Sequence, residues 1–172
     1  LKGSFKQFIN DAVERAFNEP EPVPDIEEEL EDVYAPTPVV RETTPSSDRK
    51  EMRYIDAISD GLRQGMEAHD NLILMGQDIA EYGGVFKITD GFVHQFGKDR
   101  VRNTPLCESA IIGISLGLSF KGFKSMVEMQ FADFVTCGFN QIVNNLAKGH
   151  YRWGANADVV IRMPAGAGVG AG

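Results

Sequence analysis

One carboxylate stands at the edge of a long apolar run. Asn103-Thr104-Pro105-Leu106-Cys107-Glu108 leads into Ser109–Phe120, a stretch that reads as a helix apolar on all sides and therefore buried in a core or an interface. A carboxylate beside such a helix is expensive unless something hydrogen-bonds it. Thr104 is the predicted N-cap, with Pro105 at the first helical position, which proline favours. A capping box would then need its acid at position 107, which is Cys107, so Glu108 misses that register by one. Two readings stay open. Glu108 either relaxes against a helix N-terminus, worth about 0.3–1 kcal/mol, or is a reactive acid, because buried acids are rare and gather at sites.

Other constellations are weaker. Ala110, Gly113 and Gly117 put small residues on one face of the same helix, for packing on its own sheet or for a subunit contact. Gly166-x-Gly168-x-x-Ala171 loosely matches a dinucleotide fingerprint, but Pro164 interrupts the turn, no helix follows and no acid lies downstream. His69, His94 and His150 have no ligand spacing, and no Cys joins them. Phe131 and Phe134 read as core before stacking platforms. Asn140, Gln141, Asn144 and Asn145 form either a wet helix face or a hydrogen-bonded interface.

The elements that must position these residues follow from periodicity. Residues 4–18 form an amphipathic helix with Ser4 as its cap and Phe5, Phe8, Ile9, Ala12, Val13, Ala16 and Phe17 on one face. Residues 19–50 hold six of the eight prolines, the acid run 25–32 and a Thr/Ser patch at 43–47, which is the composition of an extended, solvated linker. From Glu51 helices and strands alternate. Helices are predicted at 54–68, 92–96, 109–120 and 131–148, the last with a buried stripe of Phe131, Val135, Phe139, Ile142 and Leu146. Strands are predicted at 71–75, 100–103, 125–129 and 159–163. This implies an α/β fold, a parallel sheet with helices on both faces. Ligands in such sheets sit in loops at the carboxyl ends of the strands, here 76–84, 103–108 and 129–134.

Composition narrows the function classes. A net charge of −8 over 172 residues argues against nucleic acid and anionic membranes as partners. No apolar run approaches the roughly 20 residues of a membrane span, and nothing resembles a signal peptide. Cys107 and Cys137 are too few and too far apart for a disulfide framework or a zinc site, so a cytoplasmic, reducing location is expected. The chain starts at Leu1 without Met and stops in a glycine-alanine run at Gly172, so a fragment of a longer protein is expected.

Residues 52–172 resemble the beta subunit of 2-oxo acid dehydrogenase first (E1) components, which carry a transketolase-like, thiamine-diphosphate-binding pyrimidine domain. The resemblance rests on Asn103 to Glu108, Gly76-Gln77-Asp78, Gly83-Gly84-Val85-Phe86, Phe96 to Val101, Glu128 to Phe134, Asn140 to Asn144, Ala147-Lys148 and Ile161 to Pro164. Several of these variants look more like the branched-chain member than the pyruvate member. Residues 4–35 resemble the C-terminal tail of the alpha subunit, which implies an alpha–beta fusion with 36–50 as the joint and 51–172 as a truncated pyrimidine domain.

The resemblance implies roles position by position. Glu108 matches the glutamate that bonds N1′ of the cofactor's aminopyrimidine and favours the imino tautomer, which helps deprotonate the thiazolium carbon. Leu106 and Gln130 match pyrimidine contacts, and Phe134 matches an aromatic that stacks on that ring. Ala157, Val159 and Val160 match a backbone potassium site of some members. The implied reaction is decarboxylation of a branched-chain 2-oxo acid with acyl transfer to a lipoyl group. Pyruvate dehydrogenase, other transketolase-like or acetoin-cleaving enzymes, and a non-catalytic assembly module are the alternatives. Implied partners are the E1 alpha subunit, a second beta subunit and a lipoylated E2 acyltransferase. Magnesium belongs to the alpha half, whose Gly-Asp-Gly motif is absent here, as is the family's His-Ser-Gln. The resemblance therefore implies that this polypeptide is inactive alone.

Overall fold

The computed structural model describes residues 1–36 and 47–166. The Thr/Ser patch falls almost wholly outside these residues, as does most of the glycine fingerprint at 166–171. The chain divides into two units, Leu1–Val33 and Tyr34–Gly172.

The first unit holds α1 (Lys2–Asn18) and α2 (Ile26–Glu31). Ser4 does not cap α1. The cap position is Leu1, and the Ser4 hydroxyl donates back to the Leu1 carbonyl. The stretch expected to be extended linker contains α2, because Asp25 accepts hydrogen bonds from the backbone N–H of Glu27 and Glu28. Three glutamates in its first turn add a favourable interaction with the helix dipole.

The second unit is a four-stranded parallel sheet in the order β2-β1-β3-β4, built from β1 (Leu72–Gly76), β2 (Val101–Asn103), β3 (Lys124–Glu128) and β4 (Val159–Arg162). Its helices are α3 (Tyr54–Ala68), α4 (Phe92–Phe96), α5 (Glu108–Phe120), α6 (Val135–Gln141) and α7 (Gly149–Trp153). Side chains alternate across the strands, so the two faces carry two cores. Leu74, Val101 and Met126 pack with Met66 of α3 and with Phe92 and Val93 of α4. Ile73, Met75 and Val127 pack with Ile111 of α5. The α/β architecture, with helices on both faces, is therefore as expected. Each fully buried aliphatic side chain contributes about 1.5–3 kcal/mol.

Arg100 secures one corner. Its Nη2 donates to the carbonyls of Met66 (2.7 Å) and His69 (2.6 Å), and its Nε donates to Leu72 (3.1 Å). A cation thus satisfies the C-terminal end of α3 and the entry to β1 together.

The long helix expected over 131–148 is broken. Phe131 is extended, Ala132–Phe134 is a 3₁₀ turn, α6 follows, and Ile142–Leu146 is a π-helical turn. The extra residue per turn shifts the phase of the apolar stripe. Within α6 itself Phe139 is exposed, and Gly138 holds the buried place.

Candidate functional site

Three loops leave the carboxyl ends of the strands, and the first two are tied together. Thr104 N donates to the Gly76 carbonyl (2.9 Å), extending the β1–β2 ladder by one residue. Asn103 accepts from Ala80 N (2.8 Å) and donates to the Glu81 carboxylate (2.8 Å). Its own backbone N–H, Lys98 and Asn103 together hold the Glu81 carboxyl below the usual carboxylate range.

That ladder bond is why Thr104 caps nothing. Thr104 and Pro105 lie outside the helix, the cap position is Cys107, and α5 begins at Glu108 itself. Glu108 is therefore in the first turn, where the helix dipole favours its charge. It is half-buried, and Gln77 Nε2 donates to its Oε1 at 3.1 Å across 31 residues of sequence. Glu108 lines an open cavity of about 670 Å³ with Cys107, Ser109, Ala110, Gly113, Ile114, Cys137 and Gln141.

α5 is not buried on all sides. Ile111, Ile112, Ser115 and Leu116 are buried, whereas Ile114 is 50% exposed. Ala110 and Gly113 face the cavity, so that part of the small-residue face is not packed on the chain's own sheet. α6 backs onto the first turn of α5. A Cβ at Gly138 would lie 2.5 Å from Ile112 Cδ1 and 3.3 Å from the Glu108 carbonyl oxygen, so a larger residue would require Ile112 and the start of α5 to shift. Ser109 donates to Asn140 Oδ1 (3.3 Å), and Asn145 donates to Gln141, so these polar residues are in part a hydrogen-bonded wall.

The other expected site residues stand elsewhere. Leu106 is 81% exposed on the loop before α5. Gln130 is half-buried on the third loop. Phe134 meets Phe131 edge-on at 6.1 Å, and Phe131 meets Phe86 at 6.2 Å. None of the three lines the Glu108 cavity among the described residues. Ala157 spends its carbonyl on Val159 N (2.9 Å), and Val160 is exposed on β4. Among the described residues no group of His, Cys, Asp or Glu could hold a metal ion.

Two residues of chemical interest escaped the sequence reading. Gln77 is one. Glu128 is the other: it is 1% exposed and paired with Arg162 on the adjacent strand. Burial pushes the Glu128 carboxyl above the usual carboxylate range, and Arg162 opposes this. Gly84 (φ +75°) lies against the pair, and a Cβ there would stand 3.3 Å from Glu128 Oε1, whereas Gly83 (φ +81°) packs on Asp90. The signal for Glu128 was an acid ending an apolar strand at the same register as an arginine ending the next.

The donor set suits the pyrimidine end of a thiamine cofactor. A carboxylate with one oxygen fixed by an amide stands in a cavity wall that small residues keep open. Among the described residues no helix is long and apolar enough to cross a membrane.

Comparisons with known proteins agree. The chain is 44% identical over 122 residues to the 2-oxoisovalerate dehydrogenase subunit beta of Bacillus subtilis, covering 69% of this chain and 37% of that protein. It is 42% identical over 119 residues to the 3-methyl-2-oxobutanoate dehydrogenase subunit beta of Mycobacterium tuberculosis (68% and 34%). It is 40% identical over 119 residues to the pyruvate dehydrogenase E1 component subunit beta of Leifsonia xyli (68% and 35%). The chain thus spans about a third of the length of these relatives. Residues 50–172 match the family described as transketolase, pyrimidine binding domain, and the chain belongs to that family.

Proposed function

We propose that this chain supplies the pyrimidine-binding half of a thiamine-diphosphate-dependent 2-oxo acid dehydrogenase, as part of its E1 beta subunit. The observation that carries the proposal is Glu108, held by Gln77 in the first turn of α5 at the wall of an open cavity. When bound, thiamine diphosphate supplies the electron sink for decarboxylation. Glu108 orients the aminopyrimidine and holds a proton at its ring nitrogen. The low-dielectric wall behind Glu108 keeps water from competing for that contact. By the resemblance Leu106 and Gln130 touch the pyrimidine and Phe134 stacks on it, all three standing outside the wall of the cavity that Glu108 lines. The high exposure of Leu106 suits a residue completed by a partner surface.

The substrate we favour is a branched-chain 2-oxo acid, whose acyl group passes to a lipoyl arm. Two of the relatives carry branched-chain substrates in their names. Pyruvate is the second reading, favoured by the relative from Leifsonia xyli. We further propose an E1 alpha partner, a second beta subunit and a lipoylated E2, with magnesium held by the alpha half. The open small-residue face of α5 supports a subunit contact there. Residues 4–35 are read as an alpha-subunit tail joined to the beta sequence through residues 36–50. A potassium site at Ala157, Val159 and Val160 needs further ligands, since one carbonyl is already engaged. The free thiols of Cys107 and Cys137 suit a reducing cytoplasm. This chain alone should be inactive.

The test is Glu108→Gln in the complete assembly, assayed for decarboxylation of 3-methyl-2-oxobutanoate and of pyruvate. A loss beyond about 100-fold supports the role, on the scale of general acid–base help. Near-normal turnover sinks it, and a preference of the parent enzyme for pyruvate replaces the favoured substrate.

A further inference from the structure

Gln77 is a costly residue in its place. It directly follows the last residue of β1 and is 3% exposed. Its Oε1 is buried with no hydrogen-bond partner. An apolar side chain would fill the position without leaving a polar atom unpaired, and an orphaned buried carbonyl calls for an explanation. The amide makes one hydrogen bond, and that bond goes to Glu108 Oε1.

The base of Gln77 is fixed. Gly76 packs so closely on β3 that a Cβ there would lie 2.9 Å from the Glu128 carbonyl oxygen, and the Gly76 carbonyl is engaged by Thr104 N. The anchored end therefore defines where the amide can reach. The reverse amide orientation would set its oxygen against the Glu108 carboxylate.

We propose that Gln77 is a positioning residue for Glu108: its neutral amide locks one carboxylate oxygen, Oε1, and leaves the other for a ligand. The choice of an amide matters. An arginine in the same place would neutralise the carboxylate and weaken its hold on a proton, as a nearby opposite charge does. A hydrocarbon would let the side chain rotate. A glutamine fixes direction and leaves the charge in place. The cavity wall brings two thiols, Cys107 and Cys137, and no charged side chain other than Glu108. Asp78, next to Gln77 in sequence, is exposed. The proposal deepens the reading of Glu108 as the pyrimidine-binding acid and rests on it for its functional meaning.

The experiment uses the full chain, with ¹³C-labelled glutamate and the Glu108 carboxyl signal assigned by its loss in Glu108→Gln. In Gln77→Met, which keeps the length and removes the donor, the Glu108 side chain should average over rotamers at every pH. In Gln77→Glu the ordered signal should return as pH falls, because a protonated carboxyl can donate where the amide did. A Glu108 signal that stays ordered in Gln77→Met, with the backbone amide spectrum unchanged, overturns the proposal. So does a Gln77→Glu signal with no pH dependence, which also serves if the Met variant does not fold. In the complete assembly, Gln77→Met should lower kcat about ten- to a hundredfold, the range of one hydrogen bond to a charged group. If Glu108→Gln proves harmless there, the functional reading fails while the spectroscopic result on Gln77 still stands by itself.

Discussion

Glu108 and Glu128 both stand at the carboxyl end of the same sheet, and their surroundings divide the labour. Glu128 is sealed, with an arginine on the neighbouring strand and Gly84 against its carboxylate. Glu108 is half-buried, bonded by a neutral amide, and open to a cavity. A charge that is buried and matched by a countercharge is committed to structure, because removing either partner leaves the other stranded. A charge that is oriented but not neutralised remains available to a ligand. Burial alone does not separate the two cases; the identity of the bonding partner does.

The contrast can be broken experimentally, and the largest effect should come from the sealed acid. Glu128→Ala should lose about 3–5 kcal/mol of unfolding free energy in urea titration of the chain, since Arg162 is then left unpaired. A loss under about 1 kcal/mol would erase the distinction. Next comes Glu108→Gln, which should unfold within about 1 kcal/mol of the parent. In the assembled enzyme the same substitution should lose more than about 100-fold in rate, equivalent to about 2.7 kcal/mol. Smaller again is Gly138→Ala, which forces a methyl group against Ile112 and the Glu108 carbonyl. It should destabilise by about 1–3 kcal/mol, as overpacking does, and should disturb the Glu108 signal in the NMR spectrum.

The smallest effect is a dependence on pH. Burial raises the Glu128 carboxyl in the folded state, so the folded chain holds that proton to a higher pH than the unfolded chain. The associated stability is fully present below the ordinary carboxylate range and is lost as pH rises through the folded value. The unfolding free energy of the parent, minus that of Glu128→Gln, should therefore fall across that window and level off above it. A difference that rises instead would mean that Arg162 outweighs burial.

Much of the framework was legible in the pattern. Apolar runs marked β1, β3 and β4, whereas the stretch around β2 holds a single apolar residue, Val101; β1 lies one residue later than expected, Leu72–Gly76 against 71–75, because backbone pairing is indifferent to side-chain polarity. One of the loops expected at the strand ends leads into Glu108, which stood out in the sequence through a failed capping register. That register rested on a wrong helix start. Thr104 was drawn into the β1–β2 ladder, a contact with Gly76 that local sequence does not encode. The 3₁₀ turn after Phe131 and the π turn at Ile142–Leu146 were hidden because a stripe at helical spacing reveals neither. Gln77 was invisible as a partner of Glu108, since one follows β1 and the other opens α5, and they meet only once the sheet has formed.

The strand order also sets a timetable for synthesis. Leu72 of β1 pairs with Lys124 of β3, 52 residues later (124 − 72), and β2 arrives earlier with Leu74 opposite Val101. At about 5–20 residues per second, roughly 3–10 s pass on the ribosome between making the central strand and making its second neighbour. Throughout that wait the run Leu72–Gly76 offers an apolar, unpaired edge. Of the two interior strands, β1 is thus the one that waits longest for its second neighbour.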